Sequence, residues 1–318
     1  MLEKHKKNNI SFFMPVWNCE NFIGEALDSI IQTNFKEGDE IVITDDCSTD
    51  NTVEVIKKYQ DRYNFIKLLH HKENKGCASS RNTAIKQCKN EILFCLDADN
   101  ILEPNSVQKL KKFMLKNEAD SACFGGLNYF KDSKTKKTTH KWRYKKGIHT
   151  LADCLSGPIS PISSGNYMLT KKSCKKAGGY LKLTRILDTW TFGLKQLATG
   201  TKLIAMPNSF YFHRSSHQSN WAHYSKKINV SLLVYSILKP FLNLIDEEDI
   251  KYIEDNKDTW FLNIEKHPIK VKNIGYGKNG KVIRRKKPFK FIKDRLRKIS
   301  FLRKTYKKIK KYYITKNK

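Results

Sequence analysis

Acids are scarcest where bases are most abundant. Residues 281–318 hold 18 Lys and Arg against one acid, Asp294, in a chain of 318 residues. The first 280 residues carry 43 basic and 30 acidic side chains, so the formal charge of +30 is concentrated rather than uniform. This excludes a chain evenly coated with cations for nucleic acid and favours a moderately basic body with a strongly basic tail. The eight cysteines, Cys19, Cys47, Cys77, Cys88, Cys95, Cys123, Cys154 and Cys174, include no C-x-x-C pair, so a structural zinc site has no spacing to rest on. Several lie in apolar runs, as Cys95 does in Ile-Leu-Phe-Cys-Leu, and read as buried free thiols of a reducing compartment. No apolar run suffices for a bilayer span: the best, residues 228–245, is broken by Asn229, Lys239, Pro240 and Asn243. Residues 1–9 are polar and charged, and the apolar run after them is short and contains Pro15, so no leader and a cytoplasmic location are expected. The first strand-to-helix turn, Asn18-Cys19-Glu20-Asn21, lacks G-x-G-x-x-G, which removes the glycine cradle a dinucleotide dehydrogenase would need.

What the chain does have is a core. Hydrophobic residues make up 39%, with 17 Phe and 14 Tyr, enough to rule out wholesale disorder. Strand-like and helix-like segments alternate through the first half. Strands are expected at 10–16, 40–44, 65–69 and 91–96. Asn18 is expected to cap a helix bearing Phe22, Ala26, Leu27, Ile30 and Ile31 at helical spacing, and Ser48 or Asp50 to cap one bearing Val53, Ile56 and Tyr59. Residues 78–88 read as a third helix, and Pro104 suits the first turn of a fourth with Val107, Leu110 and Phe113 buried. This rhythm predicts an α/β fold with a mostly parallel, doubly wound sheet. Ligands of such sheets bind beyond the carboxyl ends of the strands, where Asn18, Asp45-Asp46 and Asp97-Ala98-Asp99 fall.

The second half is less regular. Residues 131–146 read as a basic loop or exposed hairpin, and 157–165 as a mobile loop over the site. A short helix is expected at 173–177, ended by Gly178-Gly179, and an amphipathic helix at 187–199, stopped by Gly200. Short strands are expected at 202–206 and 210–213, and helices after 224.

Two carboxylates ending a buried strand, Asp97 and Asp99, repel each other, and a divalent cation relieves that cost. Oxygen ligands with an open shell suit Mg2+ or Mn2+ shared with substrate phosphates. The bland alternative is a turn and helix cap before Pro104. Asp45 or Asp46 is suited to accept from a nucleobase or ribose. Arg81 is suited to diphosphate oxygens or to an ordinary surface.

Four ordered motifs then carry a resemblance. They are Pro15-Val16-Trp17-Asn18, Asp45-Asp46-Cys47-Ser48-Thr49-Asp50, the stretch Asn74-Lys75-Gly76-Cys77-Ala78-Ser79-Ser80-Arg81-Asn82, and Asp97-Ala98-Asp99. Together they resemble the nucleotide-binding half of glycosyltransferase family 2, whose fold is GT-A. Ser164-Gly165-Asn166, Lys171-Lys172, Gly178-Gly179-Tyr180, Leu187-Asp188 and Tyr211-Phe212-His213-Arg214-Ser215-Ser216 extend it more weakly, with Leu187 departing from the family's Glu. The resemblance implies nucleotide binding by Pro15, Val16, Trp17, Asn18, Asp45, Asp46, Asn74, Gly76, Arg81, Asp97 and Ala98. It implies Mn2+ or Mg2+ on Asp97, Asp99 and His213, with Asp188 as catalytic base and Gly165, Asn166 and Trp190 on the acceptor side. The implied activity is inverting transfer from a nucleotide-diphospho-sugar, foremost a UDP-sugar, to a hydroxyl of a glycan or lipid-linked acceptor. The family's processive members carry membrane spans and Q-x-x-R-W. Gln218-Ser219-Asn220-Trp221 lacks the Arg and the spacing, which points to a non-processive enzyme.

The expected organisation is a GT-A domain over 1–222, a helical extension over 223–280 and a basic tail over 281–318. The domain divides into a nucleotide-binding half (10–104) and an acceptor half (105–222). In the tail, Ile292, Leu296, Ile299, Leu302, Tyr306, Ile309 and Tyr313 form a helical stripe among Lys and Arg. That pattern suits an anionic membrane surface and peripheral attachment. The alternatives are a helix docked on the body and a nucleic-acid arm. A non-catalytic nucleic-acid- or membrane-binding protein is the competing reading, though clustered carboxylates at a pocket repel phosphates and make nucleic acid the weaker partner.

Overall fold

Strands β1 (Ile10–Val16), β2 (Glu40–Asp45) and β4 (Ile92–Cys95) are buried along their whole length. Strands covered on both faces need no polar alternation, and ISFFMPV and ILFC have little. These strands come from a computed structural model that describes residues 9–131, 135, 137–155, 160–182, 186–215, 229–239, 242, 245–259, 274–276 and 282–284. With β3 (Ile66–His70), β1, β2 and β4 form the parallel half of an eight-stranded sheet. Helices α1 (Ile23–Ile31), α2 (Thr52–Gln60) and α3 (Cys77–Gln87) connect them, and α4 (Ser106–Lys116) follows β4. Every strand and helix expected in this half is present within a residue or two.

Local capping departs from expectation. Asn18 does not cap α1; it sits at φ 49 in the left-handed region, and its side-chain oxygen accepts from Thr49 N at 2.8 Å. It therefore ties the first loop to the second. Asp50 does serve α2, accepting from Thr52 N at 3.0 Å, whereas Ser48 Oγ accepts from Asn18 N. Pro104 lies just before α4, and Asn105, at φ 58, occupies its N-cap.

The sheet continues with β5 (Ser121–Phe124), β8 (Gly147–His149), β9 (Met168–Thr170) and β10 (Leu203–Met206), in the order β3-β2-β1-β4-β9-β5-β10-β8. β9 inserts antiparallel between β4 and β5, and β8 adds antiparallel to β10, so parallel pairing is interrupted in the second half. A three-stranded sheet stands in the order β11-β6-β7, from β6 (Gly126–Phe130), β7 (Thr138–Arg143) and β11 (Tyr211–Arg214). β6 and β7 realise the exposed-hairpin alternative for 131–146. The segment expected as a loop over 157–165 is helical at α6 (Pro161–Ser164), after α5 (Leu151–Leu155); residues 156–159 lie outside the described residues. α7 (Lys171–Ala177) and α8 (Asp188–Ala198) match the two expected helices.

The described residues fall in two compact units, one within Met1–Cys154 and Pro158–Tyr224, the other within Leu155–Gly157 and Ser225–Lys318. The second contains α9 (Val230–Leu238), α10 (Glu247–Asp255) and a hairpin of β12 (Ile274–Tyr276) with β13 (Val282–Arg284). The expected helical extension is thus mixed, and the tail begins with a strand. The amphipathic stripe from Ile292 to Tyr313 and the segment Gln218-Ser219-Asn220-Trp221 lie outside the described residues. Among the described residues no helix is long and apolar enough to cross a membrane.

Candidate active site

The acidic motifs meet at the carboxyl ends of β1, β2 and β4, but their two Asp pairs are not equivalent. Asp46 is fully committed. Its oxygens accept from Lys75 N at 2.9 Å and Gly76 N at 2.7 Å, and one lies 2.7 Å from His71 Nδ1. His71 is itself braced by Thr83 Oγ1 at 2.9 Å. Asp46 therefore shapes the glycine turn before α3, where Gly76 stands at φ +86, instead of facing a nucleoside. Asp45 accepts from Ser48 N through Oδ2, while its Oδ1 is buried without a hydrogen-bond partner. A buried acceptor with no partner is the atom whose unmet capacity suits a base or ribose donor. Pro15, Val16 and Ala98 are buried, so their side chains pack and only their backbone is available to a ligand. Trp17 is different: at 47% exposed it heads the large exposed hydrophobics and offers a ring for stacking. Asn74 is exposed in the loop before Gly76.

Arg81 is the centre of the site. It is only 3% exposed. One terminal nitrogen donates to Asp97 Oδ1 at 2.6 Å and the other to Asp188 Oδ2. The expected diphosphate contact is thus replaced here by a double ion pair, and the guanidinium also lies 5.4 Å from the Tyr180 ring centroid. The planar fork of Arg suits this bridging of two carboxylates, whereas a Lys point charge does not. The next residue, Asn82, clamps the Gly-Gly-Tyr segment: its Nδ2 donates to Tyr180 O at 2.8 Å, and its Oδ1 accepts from Tyr180 N at 2.9 Å. A Cβ on Gly179, at φ +71, would fall 2.7 Å from that Asn82 oxygen, which explains the glycine.

Asp188 opens α8, with Leu187 in the N-cap position before it at φ 63. Two residues expected on the acceptor side do other work. Asn166 is 1% exposed; its Oδ1 accepts from Asp97 N at 2.7 Å and its Nδ2 donates to Asp97 Oδ2 at 3.0 Å. It orients Asp97. Trp190 is 6% exposed and gives its indole N–H to Cys154 O at 3.2 Å, so it packs instead of lining a cleft. Gly165, at φ +74, allows close approach: a Cβ would lie 2.6 Å from Thr189 Cγ2.

The three expected metal ligands are likewise unequal. Asp97 spends both oxygens on Arg81 and Asn166. Among the described residues no three His, Cys, Asp or Glu side chains form a ready cation cluster. Asp99 makes no ion pair among the described residues, and burial, with Asp97 beside it, pushes its carboxyl up to about 7. Burial pulls the His213 imidazole down to about 4 against the opposing pull of Asp97, and its Nδ1 is buried without a hydrogen-bond partner. A carboxyl that resists ionisation and a neutral imidazole with an open nitrogen fit a divalent cation; Asp97 fits it only if it leaves Arg81 or Asn166.

Sequence reasoning missed His71, the brace of Asp46, and Arg214. Arg214 Nε donates to Asp99 O at 3.1 Å and Nη2 to Glu25 Oε2 at 2.6 Å. A buried Arg directly after a candidate ligand was the available signal.

The sequence model of Glycosyl transferase family 2 matches residues 11–178. A poly-β-1,6-N-acetyl-D-glucosamine synthase of Staphylococcus epidermidis is 30% identical over 180 residues, 56% of this chain and 43% of that protein. The poly(ribitol-phosphate) β-N-acetylglucosaminyltransferase TarS of Staphylococcus aureus is 29% identical over 111 residues, 35% of this chain and 19% of that one. The chain therefore spans less than half the length of these curated relatives. In three dimensions, S. aureus TarS 1–349 in complex with UDP-GlcNAc aligns with a TM-score of 0.62 at 20% identity, covering 82% of this chain and 73% of that one. Mannosyltransferase PcManGT from Pyrobaculum calidifontis, in complex with GDP-Man and Mn2+, aligns at 0.55 and 15% identity, covering 74% and 64%. At these identities the likeness is one of fold, and that fold is GT-A. The family match covers more than half of the chain and contains all four donor-side motifs, so this protein belongs to glycosyltransferase family 2.

Proposed function

We propose that the protein transfers a sugar from a nucleotide-diphospho-sugar, with UDP as the nucleotide, to a hydroxyl of a glycan or lipid-linked acceptor. Transfer inverts the anomeric centre, adds one sugar per encounter and depends on Mn2+ or Mg2+. The observation that carries the reading is the bridge by Arg81, which puts a donor-side carboxylate, Asp97, and a base candidate, Asp188, on one buried guanidinium.

The residues divide the work. Trp17 stacks on the base, and Asp45 Oδ1 accepts its imide N–H, a match to uracil. Asp99 and His213 would hold the cation. When bound there, a divalent cation supplies Lewis-acid neutralisation of the diphosphate leaving group. Arg81 grips Asp188 through Oδ2 and keeps it oriented, and Oδ1 takes the proton of the attacking hydroxyl. Asn166 fixes Asp97 so that Arg81 has a rigid second anchor. TarS, which is also a relative in sequence at 29% identity over 111 residues, is known in complex with UDP-GlcNAc, and this supports a UDP-sugar as the donor. The basic tail adds contact with an anionic membrane surface, which would bring the enzyme to a membrane-proximal acceptor.

The test is a panel of UDP-, GDP- and other nucleotide-sugars, scored by Mn2+-dependent thermal shift and slow hydrolysis. A UDP-sugar should respond, and purified, folded Asp99→Asn and Asp188→Asn should lose transfer. Silence across the panel would overturn the reading, and full activity in either variant would remove that residue's role.

A further inference from the structure

Arg214 is 6% exposed yet reaches three different segments of the same unit, around Phe22–Glu25, Asp99–Asn100 and Phe130–Lys131. Nε donates to the backbone carbonyl of Asp99 at 3.1 Å, and its backbone N donates to Asn100 Oδ1 at 3.1 Å. Nη2 pairs with Glu25 Oε2 at 2.6 Å on α1, and Nη1 donates to Lys131 O at 3.4 Å. The guanidinium lies 4.6 Å from the Phe22 ring centroid and 4.5 Å from that of Phe130. Next to it, Ile101 and Phe212 exchange backbone hydrogen bonds at 3.0 and 2.8 Å, so the turn after Asp99 is laced to β11. β11 also carries His213.

The geometry points to Arg214 as the positioning residue of the cation site: it fixes the backbone at Asp99, and through β11 fixes His213 relative to it. This inference rests on the metal-dependent reading above. Two donors on separate elements, Asp99 in the turn after β4 and His213 on β11, can share one ion only if their separation is held to a fraction of an ångström, because metal geometry tolerates little error. Among the described residues Asp99 makes no ion pair, and the His213 ring packs edge-on against Tyr129 and Tyr211 at 4.9 and 6.2 Å between centroids; neither circumstance sets the separation of the two donors, which needs a brace shared by both. Arg214 supplies it from behind, through a carbonyl and a strand. Its burial is sustained by Glu25 and the two rings, since a cation without such partners is costly in a core. Glu25 lies on the helix that follows the Trp17–Asn18 loop, so one guanidinium links the nucleoside side, the Asp99 turn and the His213 strand. Lys cannot reproduce the planar fork or the stacking.

The test compares the wild type, Arg214→Lys and Glu25→Gln. Two measurements are made: UDP affinity with and without Mn2+ by calorimetry, and backbone hydrogen exchange over residues 97–101 in metal-free protein. Arg214→Lys should weaken Mn2+-dependent UDP binding by about tenfold or more, as losing an outer partner of a metal site does, while metal-free UDP binding changes little. Exchange at residues 97–101 should quicken in the same variant. Glu25→Gln should shift both readouts in the same direction but less, and it guards against an Arg214→Lys protein that does not fold. A wild type with Mn2+-dependent UDP binding and variants that bind equally well, with only a lowered Tm, would reduce Arg214 to a structural residue and overturn the inference. A wild type without Mn2+-dependent binding would instead overturn the metal-dependent reading itself, and this inference with it.

Discussion

Asp45 and Asp46 are adjacent, identical in type and equally buried, yet they face different chemistry. Asp46 satisfies two backbone N–H groups and His71. Asp46→Asn would turn an amide N–H2 toward donors and should cost about 1–3 kcal/mol of stability, read as a lowered Tm. Asp45→Asn leaves the fold intact but puts a donor where Oδ1 stood open, so UDP affinity should fall about tenfold at nearly unchanged Tm. The reverse pattern would exchange the two roles. The pair itself was legible in the sequence, because two acids ending a strand are visible as letters. Which one faced the ligand was not, because that depends on His71 and the Lys75–Gly76 backbone folding back some 25 to 30 positions later. Asp99 offers a test by pH. Its folded carboxyl titrates at about 7 against 3.8 for the free group, so the folded state keeps a proton that the unfolded chain has lost. Stability from this group therefore falls as pH rises from about 4 to about 7. In metal-free protein, Asp99→Asn should gain Tm over the wild type at about pH 8 and match it at about pH 4. Added Mn2+ should raise the wild-type Tm at the higher pH and leave that of the variant unmoved. A pH-independent difference between the two proteins would show that Asp99 is not held protonated.

At the scale of elements, the first four strands and four helices could be read directly because each carries its own apolar pattern within a few consecutive residues. The departures came where the decisive partner is distant. Asn18 has the composition of a helix cap, but Thr49 on the next loop claims it. β9 is three residues long and takes its place only by pairing antiparallel between β4 and β5, which no local pattern announces. Asn166 lies two residues before β9 and reads as an acceptor contact, whereas its side chain holds Asp97. The two glycine positions show how elements are brought together around the site. Gly165→Ala would force a side chain into the left-handed region and against Thr189, and Gly179→Ala would do so against Asn82. Each should cost about 1–3 kcal/mol in stability from backbone strain alone. Gly179→Ala should in addition lower kcat, because Asn82 is the neighbour of Arg81 and the clamp on Tyr180 sets that guanidinium. A kcat equal to wild type in a measurably destabilised Gly179→Ala would detach the clamp from catalysis.

At the scale of the whole molecule, the charge asymmetry sets the basic tail apart from the family match, and the membrane contact proposed for it can be tested separately from catalysis. The family match ends at residue 178, and the ion pairs of Arg81 with Asp97 and Asp188 are made among residues 81–188. Residues 285–318 hold 16 Lys and Arg and one acid. Near an anionic bilayer each such base contributes on the order of 1 kcal/mol, and the attraction fades within a Debye length as salt rises. A chain ended after Arg284 keeps the β12–β13 hairpin whole, which a cut at Lys281 would not. That truncation should bind phosphatidylglycerol vesicles far more weakly than the full chain at low salt, and the difference should shrink as ionic strength rises. Turnover of a water-soluble acceptor should stay within about twofold, because a tail that pairs with lipid adds local concentration and not transition-state contacts. Equal loss of vesicle binding and turnover would make the tail part of the folded enzyme. Unchanged vesicle binding with lost affinity for RNA or DNA would assign its charge to nucleic acid.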